Sequence, residues 1–437
     1  MIGQEVEERN RIIGQNLRKY RLLKGMTQDE LAEGICSVSQ LSKAENGKTY
    51  VKRSILKELA ERLGITVEKV ESVDPLQEEL REKLRVAQDA IAIGQYDYAY
   101  KLVTEVKEQS ETFGYSELWT YAVHNECVLL SKQNKHKETI EIIEQAMKNA
   151  LFAEYYKTRL LLRLGLSYEQ IGSMSAAADC YRRAEQEFEE TEEESDNKTS
   201  LSVYFNLTKC NVALKNYHNA LRYAEKCLEL AQVCQQHLYT LRVKYMMAFV
   251  LAKLGRDEQA KNLYMSTLTE AENNSFMSDV AIISNNFGEF LIEQGEYARA
   301  KMLLRRSKTT FELLGEGFYI CETYLHLSDL ELLEGNVDAA IEYLNLVFTT
   351  VEKQGVSSFK EKARALVKLG KIRKLQGDFE DFVKLVTEGI TIFEENDVLD
   401  EAFAVAVDLA EGLDKMDDPR AIRYYRKAIE SQKKRIV

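Results

Sequence analysis

From about residue 75 onward, apolar positions recur at helical spacing in paired blocks, each pair broken by a short polar turn. The stretch "MAFVLAKLGRDEQAKNLY" (247–264) is followed at the same phase by "FGEFLIEQGEYARAKMLL" (287–304) and "LSDLELLEGNVDAAIEYL" (327–344). Aligned on the small residue that closes the turn, these windows extend to Ala99, Thr139, Ala177, Ala220, Ala260, Ala300, Ala340, Phe382 and Ile422. The intervals stay close to forty residues, so about nine helix pairs are predicted, reaching almost unbroken to the C-terminus. A period of this length means a solenoid, in which each pair buries its apolar face only against its neighbours. Only Pro75 and Pro419 interrupt the chain, and each is expected in the first turn of a helix.

The turns carry a second pattern. "GQYDYA", "GRDEQA", "GEYARA", "GNVDAA" and "GDFEDF" resemble the Gly–acid–aromatic–x–x–Ala phrase of tetratricopeptide repeats. The glycine ends the first helix and the small residue lets the second pack closely. Lys215 and Asn134 stand in two of the glycine positions, and the last unit, "MDDPRAI", is degenerate, as suits an end repeat facing water. An acidic run, "EQEFEETEEESDNKTS", reads as a solvated helix end and loop. The resulting expectation is an all-α chain: a right-handed tetratricopeptide-repeat solenoid over residues 74–437, behind a different N-terminal domain over residues 1–73.

That first part has its own grammar. Leu17, Tyr20 and Leu22 or Leu23 form an amphipathic helix ending at Gly25, and Thr27 with Glu30 makes a capping box. A turn at 34–37 leads to "SVSQLSKAEN", closed by Gly47, and "SILKELAERL" runs from Ser54 to Gly64. Two short helices joined by a tight turn inside a small bundle are a helix-turn-helix. The stretch resembles the Cro/repressor-like (XRE) domain, with "TQDELA" first and "SQLSKAENGK" as the recognition helix. Leu31, Ala32, Leu41 and Ala44 take the buried phase. Ser37, Val38, Ser39, Ser42 and Lys43 are the candidates for base edges, while Gln28, Asn46 and Lys48 stand where that domain touches phosphates. Asp74 is expected to cap the helix opened by Pro75, leaving no linker between the two parts.

Charge fits this division. The whole chain carries −12, yet residues 1–75 hold 13 Lys and Arg against 12 Asp and Glu, so the head is near neutral on an acidic body. Seven cysteines without a CxxC read as reduced, packed thiols; Cys227 and Cys234, near His218 and His237, make only a weak metal set. No cofactor or metal is expected. The opening "MIGQEVEERNR" has no apolar signal stretch, so a cytoplasmic product is expected. No phosphate-cradling loop or nucleophile motif supports an enzyme.

Fourteen residues before each register residue stand Arg85, Asn125, Arg163, Asn206, Met246, Asn286, His326, Lys368 and Asp408, all but one polar. Lys209, Arg242, Tyr245, Asn285, Glu289 and Asp329 extend the same face. An Asn side chain can pair with both halves of a backbone amide, so such a row suits an extended peptide. Residues that merely face water or cap neighbouring turns would produce the same pattern.

With both parts in view, the chain resembles the RRNPP family of Gram-positive quorum-sensing receptors, most nearly its NprR and PlcR type. The family's head phrase reads here "GICSVSQLSKAENGKTYV", with Val51 where proline is usual. The resemblance implies a dimer or higher homo-oligomer that binds an operator and is switched by a short re-imported peptide. Asn125, Arg163, Asn206, Lys209, Arg242, Tyr245, Asn285, Asn286 and Glu289 would line the peptide groove. The alternative is a Rap-like regulator whose repeats dock a response regulator or another protein.

Overall fold

The computed structural model describes residues 2–72, 75–190, 197–354, 359–396 and 398–436. Asp74 and part of the acidic run therefore lie outside the described residues. The fold is all-helical, a helix-turn-helix head followed by tetratricopeptide-like pairs. The chain divides into two compact units, Met1–Cys210 and Asn211–Val437.

In the first unit the head comprises α1 (Ile2–Leu23), α2 (Gln28–Ala32), α3 (Val38–Glu45), α4 (Arg53–Leu63) and α5 (Val67–Glu71). Thr27 makes the expected capping box with Glu30. Ile13, Leu17, Leu31, Leu41, Leu56, Leu59 and Leu63 close a small core. Helix α1 begins some fifteen residues earlier than the Leu17–Tyr20 phase suggested, and Ile13 in the added turns joins this core. A Cβ on Gly14 would overlap the carbonyl oxygen of Ala44, so only glycine lets α1 lie against the end of α3. Asn16 is buried and donates to the carbonyls of Val70 and Ser72 at 2.8 and 2.9 Å.

Pairs α6 (Pro75–Ala92) with α7 (Tyr96–Phe113), α8 (Ser116–Lys132) with α9 (His136–Ala146), and α10 (Lys157–Gln170) with α11 (Met174–Glu190) follow, and α12 (Asn197–Ala213) begins in this unit. Pro75 opens α6 as expected. The head is packed on these first repeats. The Lys19 ammonium lies 5.2–5.4 Å from the ring centres of Tyr20, Phe113 and Tyr115, a desolvated cation–π site. Gly114, at φ +72°, takes a left-handed conformation that favours glycine and lies against the Leu22 side chain. Arg11 pairs with Glu117 at 3.4 Å, and Arg18 donates to the carbonyl of Ala150.

The second unit contains α13 (Tyr217–Val233), α14 (His237–Lys253), α15 (Asp257–Asn273), α16 (Met277–Glu293), α17 (Tyr297–Leu314), α18 (Gly317–Leu333), α19 (Val337–Gln354), α20 (Phe359–Leu375), α21 (Phe379–Glu395), α22 (Leu399–Asp414) and α23 (Ala421–Ile436). Its cores are built from the repeat phases, for example Tyr264, Phe287, Leu291 and Leu304 in one and Phe382, Ile390, Phe393 and Leu409 in another. No helix among the described residues is long and apolar enough to cross a membrane.

Every register residue from Ala99 to Ala340 is fully buried, and Phe382 nearly so. The last unit departs by one position: Ala421 is buried and Ile422 is exposed. Elsewhere the buried residue follows the left-handed turn residue by five; after Asp417 (φ +54°) it follows by four, because the Pro419–Arg420 turn is one residue shorter. Pro419 thus precedes α23 instead of lying in its first turn. Asn134 and Lys215 occupy their glycine positions at φ +59° each, so the turn is imposed without glycine. A left-handed non-glycine residue costs about 1–2 kcal/mol, partly offset by the entropy of an introduced glycine. Lys215→Gly should therefore raise the urea midpoint by the equivalent of about 0.5–1 kcal/mol, and Gly255→Lys should lower it by a similar amount.

Candidate functional site

Helix α3 is capped by Ser37, whose Oγ accepts from the Gln40 amide at 3.1 Å. Leu41 and Ala44 face inward as expected, leaving Val38, Ser39, Gln40 and Lys43 exposed and Ser42 half-buried. The helix is fixed from beneath by Glu45, which is buried and takes two hydrogen bonds from the Arg21 guanidinium at 2.6 and 2.8 Å. Gln28 donates to the same carboxylate at 2.7 Å, so its amide is committed within the head. Asn46 likewise donates to the Ser42 carbonyl at 2.9 Å. Lys43, Lys48 and Lys52 are exposed, and none makes an ion pair among the described residues. Ser39 and Lys43 are thus exposed on α3, and the Lys48 amide, just past its end, donates to the Lys43 carbonyl at 2.9 Å. Gln40 and Lys52 were not singled out in the sequence; Gln40 sits at the edge of the outward arc, where helical phase alone decides poorly.

The first helices of the repeats lie side by side, with α6 against α8, α8 against α10, α14 against α16, α16 against α18 and α18 against α20. Much of their polar phase links one to the next. In the first unit, Gln88 of α6 donates to Asn125 of α8 at 3.3 Å and to the Tyr121 hydroxyl. Asn125 is buried and returns a bond to the Tyr121 carbonyl. Lys209 of α12 donates to Glu169 of α10 at 2.8 Å. Asn206 is buried. Arg163 differs: it is half-buried, its Nε is buried without a partner, and it pairs with no carboxylate among the described residues. Desolvation lowers its pKa.

In the second unit Arg242 of α14 bonds Asp279 of α16 at 3.0 Å, and Tyr245 stands beside that pair, its hydroxyl pKa raised by burial. Asn285 is buried between Asn286 (3.3 Å) and His326 Nδ1 (3.2 Å). Glu289 lies 3.9 Å from His326 Nε2. Beyond them Lys368 of α20 donates to both oxygens of Asp329 at 2.5 and 2.6 Å, and Arg364 bridges Glu322 and Glu401. Glu289, Glu293, Glu322, His326, Asp329, Arg364 and Lys368, with Ile292 and Leu325, line a half-open cavity of about 290 Å³. Of the nine residues expected in a groove, Asn285, Asn286 and Glu289 thus cluster around His326 at this cavity, and Glu289 lines it. Arg364 and Glu322 were missed, although Arg364 lies one turn before the Lys368 phase position.

A helix-turn-helix family model matches residues 17–70 and a tetratricopeptide-repeat model matches residues 201–234. The transcriptional activator NprA of Geobacillus stearothermophilus is 24% identical over 359 residues, which cover 76% of this chain and 80% of that protein. Among solved structures, the apo form of the quorum sensor NprR from B. thuringiensis superposes with a TM-score of 0.58 at 17% identity, covering 82% of this chain and 99% of that one. A Rap protein complexed with Competence and Sporulation Factor gives a TM-score of 0.58 at 19% identity over 82% of this chain and 98% of that one. The chain is a helix-turn-helix protein carried on a tetratricopeptide solenoid. A helix-turn-helix ahead of tetratricopeptide repeats is also what the resemblance to RRNPP-family regulators implies.

The Arg21–Glu45 pair yields a test of how α3 is held. Removing one partner strands a buried charge, so Glu45→Ala should cost the head about 3–5 kcal/mol. The double variant Arg21→Met, Glu45→Leu should recover most of that loss. Circular dichroism melts of the two variants would check this, and a double variant as unstable as the single would contradict it.

Proposed function

We propose that this protein is a cytoplasmic transcriptional regulator that binds a two-half-site operator through residues 1–73. On this reading, residues 74–437 bind a short signalling peptide and hold two copies together. The observation that carries the reading is the exposed face of α3. Ser39 and Lys43 are presented to solvent on a helix anchored from below, and Lys43, Lys48 and Lys52 hold charges that no carboxylate of the described chain neutralises. Unpaired ammonium groups beside an outward polar helix suit phosphates and base edges. The relation to an activator supports the same reading.

For the peptide, support comes from the second unit's cavity. It offers carboxylates in excess of Arg364 and Lys368, both already paired, and so suits backbone amides and a basic group. The fold is shared with Rap proteins, which supports a second reading in which the repeats dock a response regulator.

Selection of full-length protein on random-sequence duplexes separates these. The first reading expects an enriched motif of two related half-sites. Lys43→Ala and Ser39→Ala should then lose about 1–3 kcal/mol on that motif for each lost base contact, with less effect on unrelated DNA. Lys48→Ala should weaken both alike. Wild-type operator affinity in both α3 variants would remove this helix from the reading role.

A further inference from the structure

The first unit carries a feature that DNA reading does not use. On α10, beside α8, Arg163 stands half-buried with its Nε buried and unpartnered, and no carboxylate among the described residues pairs with it. Beside it, His124 has its Nδ1 buried without a hydrogen bond. Its ring packs on Tyr121 at 6.3 Å between centres, and Tyr121 stacks on Tyr156 at 5.5 Å. The Arg159 guanidinium lies 5.8 Å over the Tyr156 ring. Burial first, then the neighbouring Arg163 and Arg159, hold His124 neutral down to about pH 4.

Elsewhere on the inner faces, a cation at the same phase is matched: Lys368 with Asp329, and nearby Arg364 with Glu322 and Glu401. A half-buried guanidinium with a buried, unpartnered Nε and no anion is a cost to the folded chain that a bound anion would reduce. We infer that Arg163, with Arg159 and His124 against the Tyr121–Tyr156 stack, forms a binding site for a carboxylate. The guanidinium supplies charge-assisted hydrogen bonds, and the tyrosine faces supply an apolar wall for the chain that carries the carboxylate. Two sources share this chemistry, the end or acidic side chain of a peptide and a free small organic acid. The peptide source rests on the function proposed above; the site itself does not.

The only tryptophan, Trp119, is buried in α8 with Val123, Cys127 and Leu164, one helix face away from the site, and reports on it. Full-length protein would be titrated at constant ionic strength with N-acetyl-Ala-Ala, its C-terminal amide and succinate. Melting temperature and Trp119 emission are the readouts. The free acids should raise the melting temperature saturably and the amide should not. A stronger response to the dipeptide assigns the site to a peptide end, and an equal or stronger one to succinate assigns it to a free acid. Arg163→Gln should weaken the response about tenfold or more, and Arg163→Lys should keep part of it. In the absence of any acid, Arg163→Gln should melt higher than wild type, whereas a residue with a purely structural role would melt lower. An amide as effective as the acid, or an Arg163→Gln protein that melts lower and still responds, would overturn the site. The titration uses neither DNA nor a cognate peptide, so its failure leaves the operator-binding result standing.

Discussion

The structure depends on one repeated constraint: a left-handed residue followed five positions later by a side chain that must vanish into the neighbouring helix. The left-handed residue folds the second helix back on the first. The small residue then sets how closely the two pack, and so how the first helices of successive repeats come to lie side by side. Because the requirement is geometric, it tolerates Asn134 and Lys215 in the turn, where the surrounding packing forces a positive φ. It also explains the last repeat, where a shorter turn moves the buried position to Ala421.

Side-by-side first helices place polar groups of one repeat within reach of the next, at separations of 37 to 41 residues in the chain. Most of those groups therefore satisfy one another, and Asn125, Lys209, Arg242 and Asn285 all have partners inside the protein. Function is better sought where such pairing stops. Two places answer that description among the described residues: the ammonium groups around α3 and the half-buried guanidinium of Arg163.

The sequence made the repeat, its register and the head's helices legible because each rests on local rules: glycine at a left-handed turn, a capping box, apolar phase. The role of Gly14 was not legible, since its need for space comes from Ala44, thirty residues away. Phase could pick out Asn125 and Asn285 as inward polar residues. It could not say that their amides are spent on Gln88, Tyr121 and His326, because those partners lie on other helices. For the same reason Arg163 looked like any other polar residue in the row, and only the absence of a partner in space sets it apart.

The head is not hung loosely on the repeats. Helix α1 is held by the aromatic rings around Lys19, by Leu22 on Gly114, and by the Arg11–Glu117 and Arg18–Ala150 contacts. Glu117 also acts on Tyr156 of the carboxylate site, so the first turn of α8 borders both the head and that site. A ligand there and an operator on α3 would bias one equilibrium, and linkage then requires each to change the other's affinity by the same factor. The most direct test measures operator affinity with and without saturating cognate peptide, and peptide affinity with and without saturating operator. The account predicts two equal factors, both different from one. Peptide binding of the same strength whether or not operator is present would contradict it.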